Sequence, residues 1–233
     1  MNKEYANIID DLYEQSIINF ESKQEARKNI HVSDLVSDCV RKPWYRLHGY
    51  KQKEKTFKQA LPLVHGTMLH ECVDLEGLEH EVALAANVYK DEPAKYTNKK
   101  RGKDYFEIVQ GAMDDLIEID DDLIICDKKT TKSIPKEVSL QYKTQMNIYK
   151  LLYTINNPDV DIKKAAIIYI DKTTAWAKHK TIVFDLLDIG EIKQFVLDRL
   201  ALLEGQQLPP REESFLCHWC PFIDECKPNV FRA

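Results

Sequence analysis

Two strand-length apolar runs between residues 105 and 130, parted by little more than a pair of aspartates, leave few folds open to this chain. Leu123-Ile124-Ile125-Cys126 is a β run that continues into Asp127-Lys128-Lys129, and a second strand-like run covers 105–119. With Asp120-Asp121 at the turn, the runs pair as a hairpin whose register sets Asp114 opposite Asp127. Directly opposed residues hold their Cβ atoms roughly 4.5–5.5 Å apart, so two carboxylates there repel each other unless a cation bridges them. Side chains alternate along a strand, which puts Asp127 and Lys129 on one face and Lys128 on the other. Hard divalent cations such as Mg²⁺ and Mn²⁺ take carboxylate oxygens, and an ammonium beside them can orient or polarise a water. The pattern predicts a hydrolytic metal centre at the end of an apolar strand.

The rest of the chain supplies what such a hairpin packs against. Tyr5, Ile8, Ile9, Leu12, Tyr13, Ile17 and Phe20 recur at helical spacing and predict a first helix over 4–27. Ser33 can cap a second, short helix that carries Cys39 and must stop near Pro43. A third helix is expected over 61–75, with His70 on it, and then a strand over 81–88 and a polar, basic loop over 95–103. Beyond the hairpin, Val138, Tyr142, Met146, Tyr149 and Tyr153 mark a helix over 137–154, followed by strands at 164–170 and 180–185. A helix from Asp188 to Glu204 ends at Gly205, a common left-handed terminator, and Leu208-Pro209-Pro210 makes a stiff linker. This order predicts an α/β fold, a central mixed β-sheet flanked by helices. The expected organisation is an N-terminal helical region over 1–60, a core over 61–205 and a cysteine-bearing tail over 206–233 that packs back on the N-terminal region.

That tail is too short to build a core of its own. Cys217-His218-Trp219-Cys220 and Cys226 give C-x2-C-x5-C, and a metal bound there would supply folding free energy. Such a site needs a fourth ligand, for which Cys39, Cys72, Cys126 and His218 are candidates. Cys126 alternates with Asp127 and should face the apolar interior, whereas Cys72 shares the helix of His70. Cys39 lies in a polar segment just before the Arg41-Lys42-Pro43 break and is the preferred fourth ligand. Four thiolates can hold tetrahedral Zn²⁺ or a [4Fe–4S] cluster, and the spacing does not choose between them.

A formal net charge of −5 argues against a uniformly basic nucleic-acid-binding surface, yet the cations are locally concentrated. Lys95, Lys99, Lys100, Arg101 and Lys103 cluster beside Tyr96 and Tyr105, and Lys51, Lys53, Lys55 and Lys58 form a second group. Apolar runs fall short of the ~20 residues that span a bilayer. The segment MNKEYANIIDDLYEQ lacks the apolar stretch of a signal peptide, so an intracellular, cytoplasmic protein without disulfides is expected, in a host cytoplasm if the protein is viral.

These residues resemble the RecB-like branch of the PD-(D/E)XK nucleases, and within it the CRISPR-associated exonuclease family and the AddB nuclease domain, which carry an iron–sulfur cluster. The resemblance runs from about Val32 to Cys226. Gly66-Thr67-Met68-Leu69-His70-Glu71 is similar to the family's helix motif and implies that His70 ligates metal. Gly111-Ala112-Met113-Asp114 and the Asp127-Lys128-Lys129 segment resemble the next two motifs. They imply Asp114 and Asp127 as ligands and Lys129 as the catalytic lysine. Gln145 and Tyr149 match a Q-x-x-x-Y motif that contacts DNA or buttresses the site. Cys39, Cys217, Cys220 and Cys226 fall where the family places its cluster ligands.

The resemblance implies a restriction-endonuclease-like fold, Mg²⁺ or Mn²⁺ for catalysis and a [4Fe–4S] cluster in preference to zinc. It also implies exonuclease action on single-stranded DNA ends, with the basic loop at Lys99, Lys100 and Arg101 tracking phosphates. A CRISPR integrase complex or a helicase is the implied partner, in spacer processing, recombination or viral DNA metabolism. The sequence departs from the family at Lys128, where an apolar or aromatic residue is usual. Two rival readings are a DNA-binding adaptor with an idle centre and a zinc–cysteine interaction protein.

Overall fold

The computed structural model describes residues 2–23, 29–72, 79–99, 102, 105–173 and 178–226. Its strands are β1 (Ile30–His31), β2 (Glu79–Asn87), β3 (Glu92–Pro93), β4 (Ile108–Ile119), β5 (Asp122–Thr131), β6 (Lys164–Asp171) and β7 (His179–Asp185). Its helices are α1 (Asn2–Lys23), α2 (Val32–Leu35), α3 (Arg41–Leu47), α4 (Phe57–Cys72), α5 (Leu140–Asn156), α6 (Ile189–Glu204) and α7 (Ile223–Cys226), with a 3₁₀ turn at Phe215–Trp219. Six strands run β3-β2-β4-β5-β6-β7 across a mixed sheet, and β1 adds to β4 as the seventh. All neighbours pair antiparallel except β1 with β4 and β5 with β6. The crossover between parallel β5 and β6 is α5.

The β4–β5 turn fixes the register. Asp120 and Asp121 have φ of 50° and 67°, the left-handed pair that a two-residue hairpin requires and that aspartate tolerates. The ladder accordingly runs from Ile119↔Asp122 to Asp115↔Cys126, the register read from the sequence. Beyond Asp115 the edge of β4 changes partner: residues 115–119 pair with β5, and Val109 and Gln110 pair with β1. The other edge belongs to β2 from Ile108 to Leu116, with Asp114 passed over. Residues 111–114 therefore bridge a fork where β4 and β5 part and β1 takes the vacated edge.

Over this sheet lies α5, with α6 behind it. Met146, Ile148, Leu151 and Leu152 are fully buried, and Ile192, Val196, Leu200 and Leu203 give α6 one apolar stripe. Being covered on two sides, α5 is buried more widely than the single expected stripe. Even Asn147 and Lys150 are enclosed, and both hold the chain entering α6: Leu187 N–H donates to Asn147 Oδ1 (2.7 Å) and Lys150 Nζ donates to Leu187 O (3.1 Å).

Several boundaries move from the sequence reading. Pro43 sits in the first turn of α3 rather than ending a helix, because proline's missing N–H is harmless there. Cys39 consequently lies in the turn between α2 and α3, and His31, not Ser33, stands at the start of α2, its N–H donating to Asp34 Oδ2 at 2.8 Å. The third helix begins at Phe57. Its start signal is Thr56-x-x-Gln59, where Thr56 N–H donates to Gln59 Oε1 (2.8 Å), and the helix carries Pro62 inside it. Gly205 ends α6 at φ −54°, so no left-handed residue is needed.

The tail returns to α3. Trp44 Nε1 donates to Gly205 O (2.8 Å), Arg41 Nε to Pro209 O (2.7 Å) and Lys53 N to Pro221 O (2.9 Å). Phe222, 2% exposed, stacks on Tyr45 at 5.4 Å between ring centroids. Truncating that ring removes the tail's main apolar anchor, so Phe222→Ala is expected to lose about 3–5 kcal/mol. Urea unfolding measures the loss, and limited proteolysis should cut first after residue 205.

Candidate active site

At the fork, midway along β4 and β5, the predicted acids and lysine come together. Asp127 is 2% exposed, and its Oδ2 lies 2.6 Å from Lys129 Nζ, as expected for residues two apart on one strand face. Asp114 reaches across the parted strands: its Oδ2 accepts the Lys128 backbone N–H at 2.8 Å. That bond leads from one acid to the peptide next to the other.

The charges settle what Lys129 can do. Burial alone would lower its pKa, but the Asp127 carboxylate, by charge and hydrogen bond, and then Asp114 outweigh burial and raise it. Lys129 is therefore an ammonium here, a donor and a source of positive potential rather than a general base. Its Nζ also lies 5.2 Å from the centroid of the Tyr142 ring. Lys129, Thr131, Ser133, Glu137, Tyr142 and Tyr169 line a cleft of about 200 Å³ beside it.

From α5, Gln145 Nε2 faces Tyr149 OH at 3.5 Å. Burial pushes the Tyr149 phenol up to about 12, and the Asp127 charge adds to this, so it remains a neutral hydroxyl beside the acids. Gly111 makes room for it. A Cβ at that position would stand 2.9 Å from a Tyr149 ring carbon and 2.9 Å from Val32 Cγ2. The glycine of the Gly111–Asp114 segment thus serves a close approach between the fork, α5 and α2.

His70 lies on α4, which contacts β5, but its side chain is outside the described residues, as is that of Cys72. Lys100 and Arg101 are also outside them. Lys99 is exposed, and its loop is tied down, with Asn29 Nδ2 donating to Thr97 O (2.7 Å) and Lys99 O (2.9 Å). Of the second basic cluster, Lys53 pairs with Asp224 (3.3 Å) and Lys55 with Glu21. Those two lysines tie the tail and α1 to the body instead of standing ready for phosphates.

The two carboxylates offer the hard oxygen donors that Mg²⁺ or Mn²⁺ takes, so this pair fits a divalent cation. Among the described residues no three His, Cys, Asp or Glu side chains converge as a metal cage. With the His70 side chain outside the description, the two acids are the part of the expected set on view. The cysteines share one corner without closing on a single point. Cys220 lies in the electrostatic field of Cys39 and Cys226, Arg41 Nη1 lies 3.6 Å from Cys226 Sγ, and the Ser214 N–H points at Cys217 Sγ at 3.5 Å. Burial raises the Cys220 thiol, and the nearby Lys42 charge works against that.

Cys126 is buried, but beside Asp115, Asp127 and Asp114 rather than in the apolar surroundings its alternation suggested. Burial first, and then those charges, push its thiol up to about 12. Sequence reasoning also missed His80, Asp115 and Lys128 as a group. They meet on the face of β5 turned away from Lys129, and only a lysine in an otherwise apolar strand hinted at them. Among the described residues, no helix is long and apolar enough to cross a membrane.

The PD-(D/E)XK nuclease superfamily matches residues 9–227, which takes in most of the first helix that the sequence resemblance left aside. The crystal structure of SSO0001 superposes with a TM-score of 0.57 at 19% identity, over 97% of this chain and 99% of that one, and shares the fold. No curated protein matches the chain. The crowding at Gly111 gives a direct test. Gly111→Ala should destabilise the protein by about 1–3 kcal/mol in urea unfolding and shift the Tyr149 ring resonances in NMR spectra, since Tyr149 or Val32 must move.

Proposed function

The chain belongs to the PD-(D/E)XK nuclease superfamily, and from that premise we propose that it is a Mg²⁺- or Mn²⁺-dependent exonuclease acting on single-stranded DNA ends. The observation that carries this reading is the fork itself, with Asp127 bonded to Lys129 on one side and Asp114 held to the Lys128 amide on the other. Asp114, Asp127 and His70 would hold the cation. When bound, it supplies Lewis-acid polarisation of the scissile phosphate and lowers the pKa of a nearby water.

The chain's own groups do the rest. The Lys129 ammonium donates to the attacking water or to a non-bridging phosphate oxygen, where negative charge develops. As an ammonium it would act by hydrogen bonding and by its field. Gln145 offers an amide donor, and Tyr149, a neutral phenol, a hydroxyl to the strand being cleaved. The exposed Lys99, with Lys100 and Arg101, would track the backbone leading in, and the half-buried Tyr96 beside them would offer a face for base stacking, whereas Tyr105 is buried in the core.

At the tail, Cys39, Cys217, Cys220 and Cys226 would carry a [4Fe–4S] cluster as a structural clamp. Two things support it: the tail folds back so that these thiols share a corner, and Arg41 and Lys42 stand there to offset thiolate charge. Reduced thiols of this kind suit an intracellular compartment. The resemblance noted above makes end-trimming alongside a CRISPR integrase or a helicase the natural setting.

End-labelled single-stranded DNA should be degraded from an end with Mn²⁺, and EDTA should stop the reaction. Lys129→Ala should cut the rate by about 10²–10³-fold, and equal cleavage by both proteins rejects the centre. Protein purified without oxygen should be brown and contain iron and labile sulfide. Colourless protein with one zinc per chain overturns the cluster, and Cys220→Ala should free the tail before it lowers activity.

A further inference from the structure

Behind the fork lies a second ionic centre that the proposed chemistry does not use. Asp115 is wholly buried, with Oδ1 2.5 Å from His80 Nδ1 and Oδ2 3.2 Å from Lys128 Nζ. The Lys128 side chain is 4% exposed, and that of His80 is 24% exposed. The three residues form a row across three strands: His80 is opposite Asp115 on β2, Asp115 is opposite Cys126 on β5, and Lys128 is two residues further along.

We propose that the His80–Asp115–Lys128 network is a positioning device for the divalent cation, holding Asp114 to its place in the fork from the far side of the sheet. The inference rests on the metal-dependent reading above. Asp115 and Cys126 are the last β4–β5 pair before the strands part, and the next residue on β4 is Asp114. On its other side the β2–β4 register steps from His80↔Asp115 to Val82↔Met113, passing over Asp114 opposite Glu81, whose φ is +48°. Regular strand pairing is thus at its thinnest where a carboxylate must be held most exactly in place.

The two faces are tied together at that point. The Asp115–Lys128 ion pair and the Lys128 N–H···Asp114 bond join the same two short stretches of chain, one tie on each side of the sheet. Fixing the lysine side chain fixes its own amide, and that amide orients the metal-facing acid. Burying a lysine and an aspartate together is otherwise hard to account for, since well-packed apolar residues often replace such a pair without loss of stability.

That last point supplies the test. Asp115→Leu/Lys128→Met removes the charges together, so no lone ion is left buried. The double variant should unfold at or above the wild-type temperature and yet bind Mn²⁺ about 10–100-fold more weakly by calorimetric titration, the usual effect of losing a group that orients a metal ligand. Its kcat on single-stranded DNA should fall at saturating DNA while KM for DNA stays put. Lys128→Arg should recover most of the Mn²⁺ affinity. If the double variant does not fold, Asp115→Asn decides, with weaker Mn²⁺ binding expected and unchanged binding overturning the proposal. Wild-type Mn²⁺ affinity in a folded double variant sinks the positioning role alone. A wild-type protein that takes up no Mn²⁺ sinks the metal-dependent reading together with it.

Discussion

Everything at the fork depends on one backbone choice, the left-handed pair at Asp120 and Asp121. Side chains on a strand repeat every two residues, so a slip of one position exchanges the faces of one strand relative to its partner. In this chain a slip would exchange Asp114 for Asp115, burying one acid against the wrong partners and leaving the other without its lysine. A two-residue turn admits no such slack, because its ends are already paired at Ile119↔Asp122. The acidic turn is exposed, and what it contributes is its willingness to take positive φ.

The sheet, its mixed pairing and the hairpin register were legible in the sequence because they rest on local signals: apolar runs, alternation and a turn. The placement of Asp127 beside Lys129 followed from alternation alone. Three things were not legible, each for a physical reason. β1 is only Ile30–His31, and it becomes a strand because β5 leaves an edge of β4 open, a long-range event with no local trace. The fork itself is a failure of pairing, which a regular pattern cannot announce. The burial of Lys128 contradicts its residue type and is intelligible only once Asp115 and His80 stand beside it.

The tail shows a different dependence. It has one large apolar anchor, Phe222, and a few hydrogen bonds from the Arg41 and Trp44 side chains of α3 to its carbonyls, which is little for a segment that must stay docked. Lys53 and Lys55, cations that a sequence reading assigns to phosphate binding, are drawn into pairs with Asp224 and Glu21. The Lys53–Asp224 pair is exposed and contributes little stability, while Lys55 meets a largely enclosed Glu21, and each pair removes a charge from the pool available to a polyanion. At the fork itself Lys129 supplies a positive charge, held beside Asp127. This is how a chain of net charge −5 can still meet a phosphate at one place.

The two doublets Asp114-Asp115 and Lys128-Lys129 bring these threads together. As sequence, each looks like a redundant pair of like charges. Alternation on two strands deals one member of each doublet to each face of the sheet. Lys129 meets Asp127 on the side of α5, where the cleft lies, and Lys128 meets Asp115 on the other, where His80 closes the row. Neighbouring residues of one type thereby acquire opposite duties. One lysine stays at a partly open site, where its charge can act on a substrate. The other is withdrawn from solvent, where its charge can act only on the protein. A single Asp114 oxygen on the Lys128 amide connects the two centres, and it makes the rigidity of the hidden one available to the chemistry of the open one.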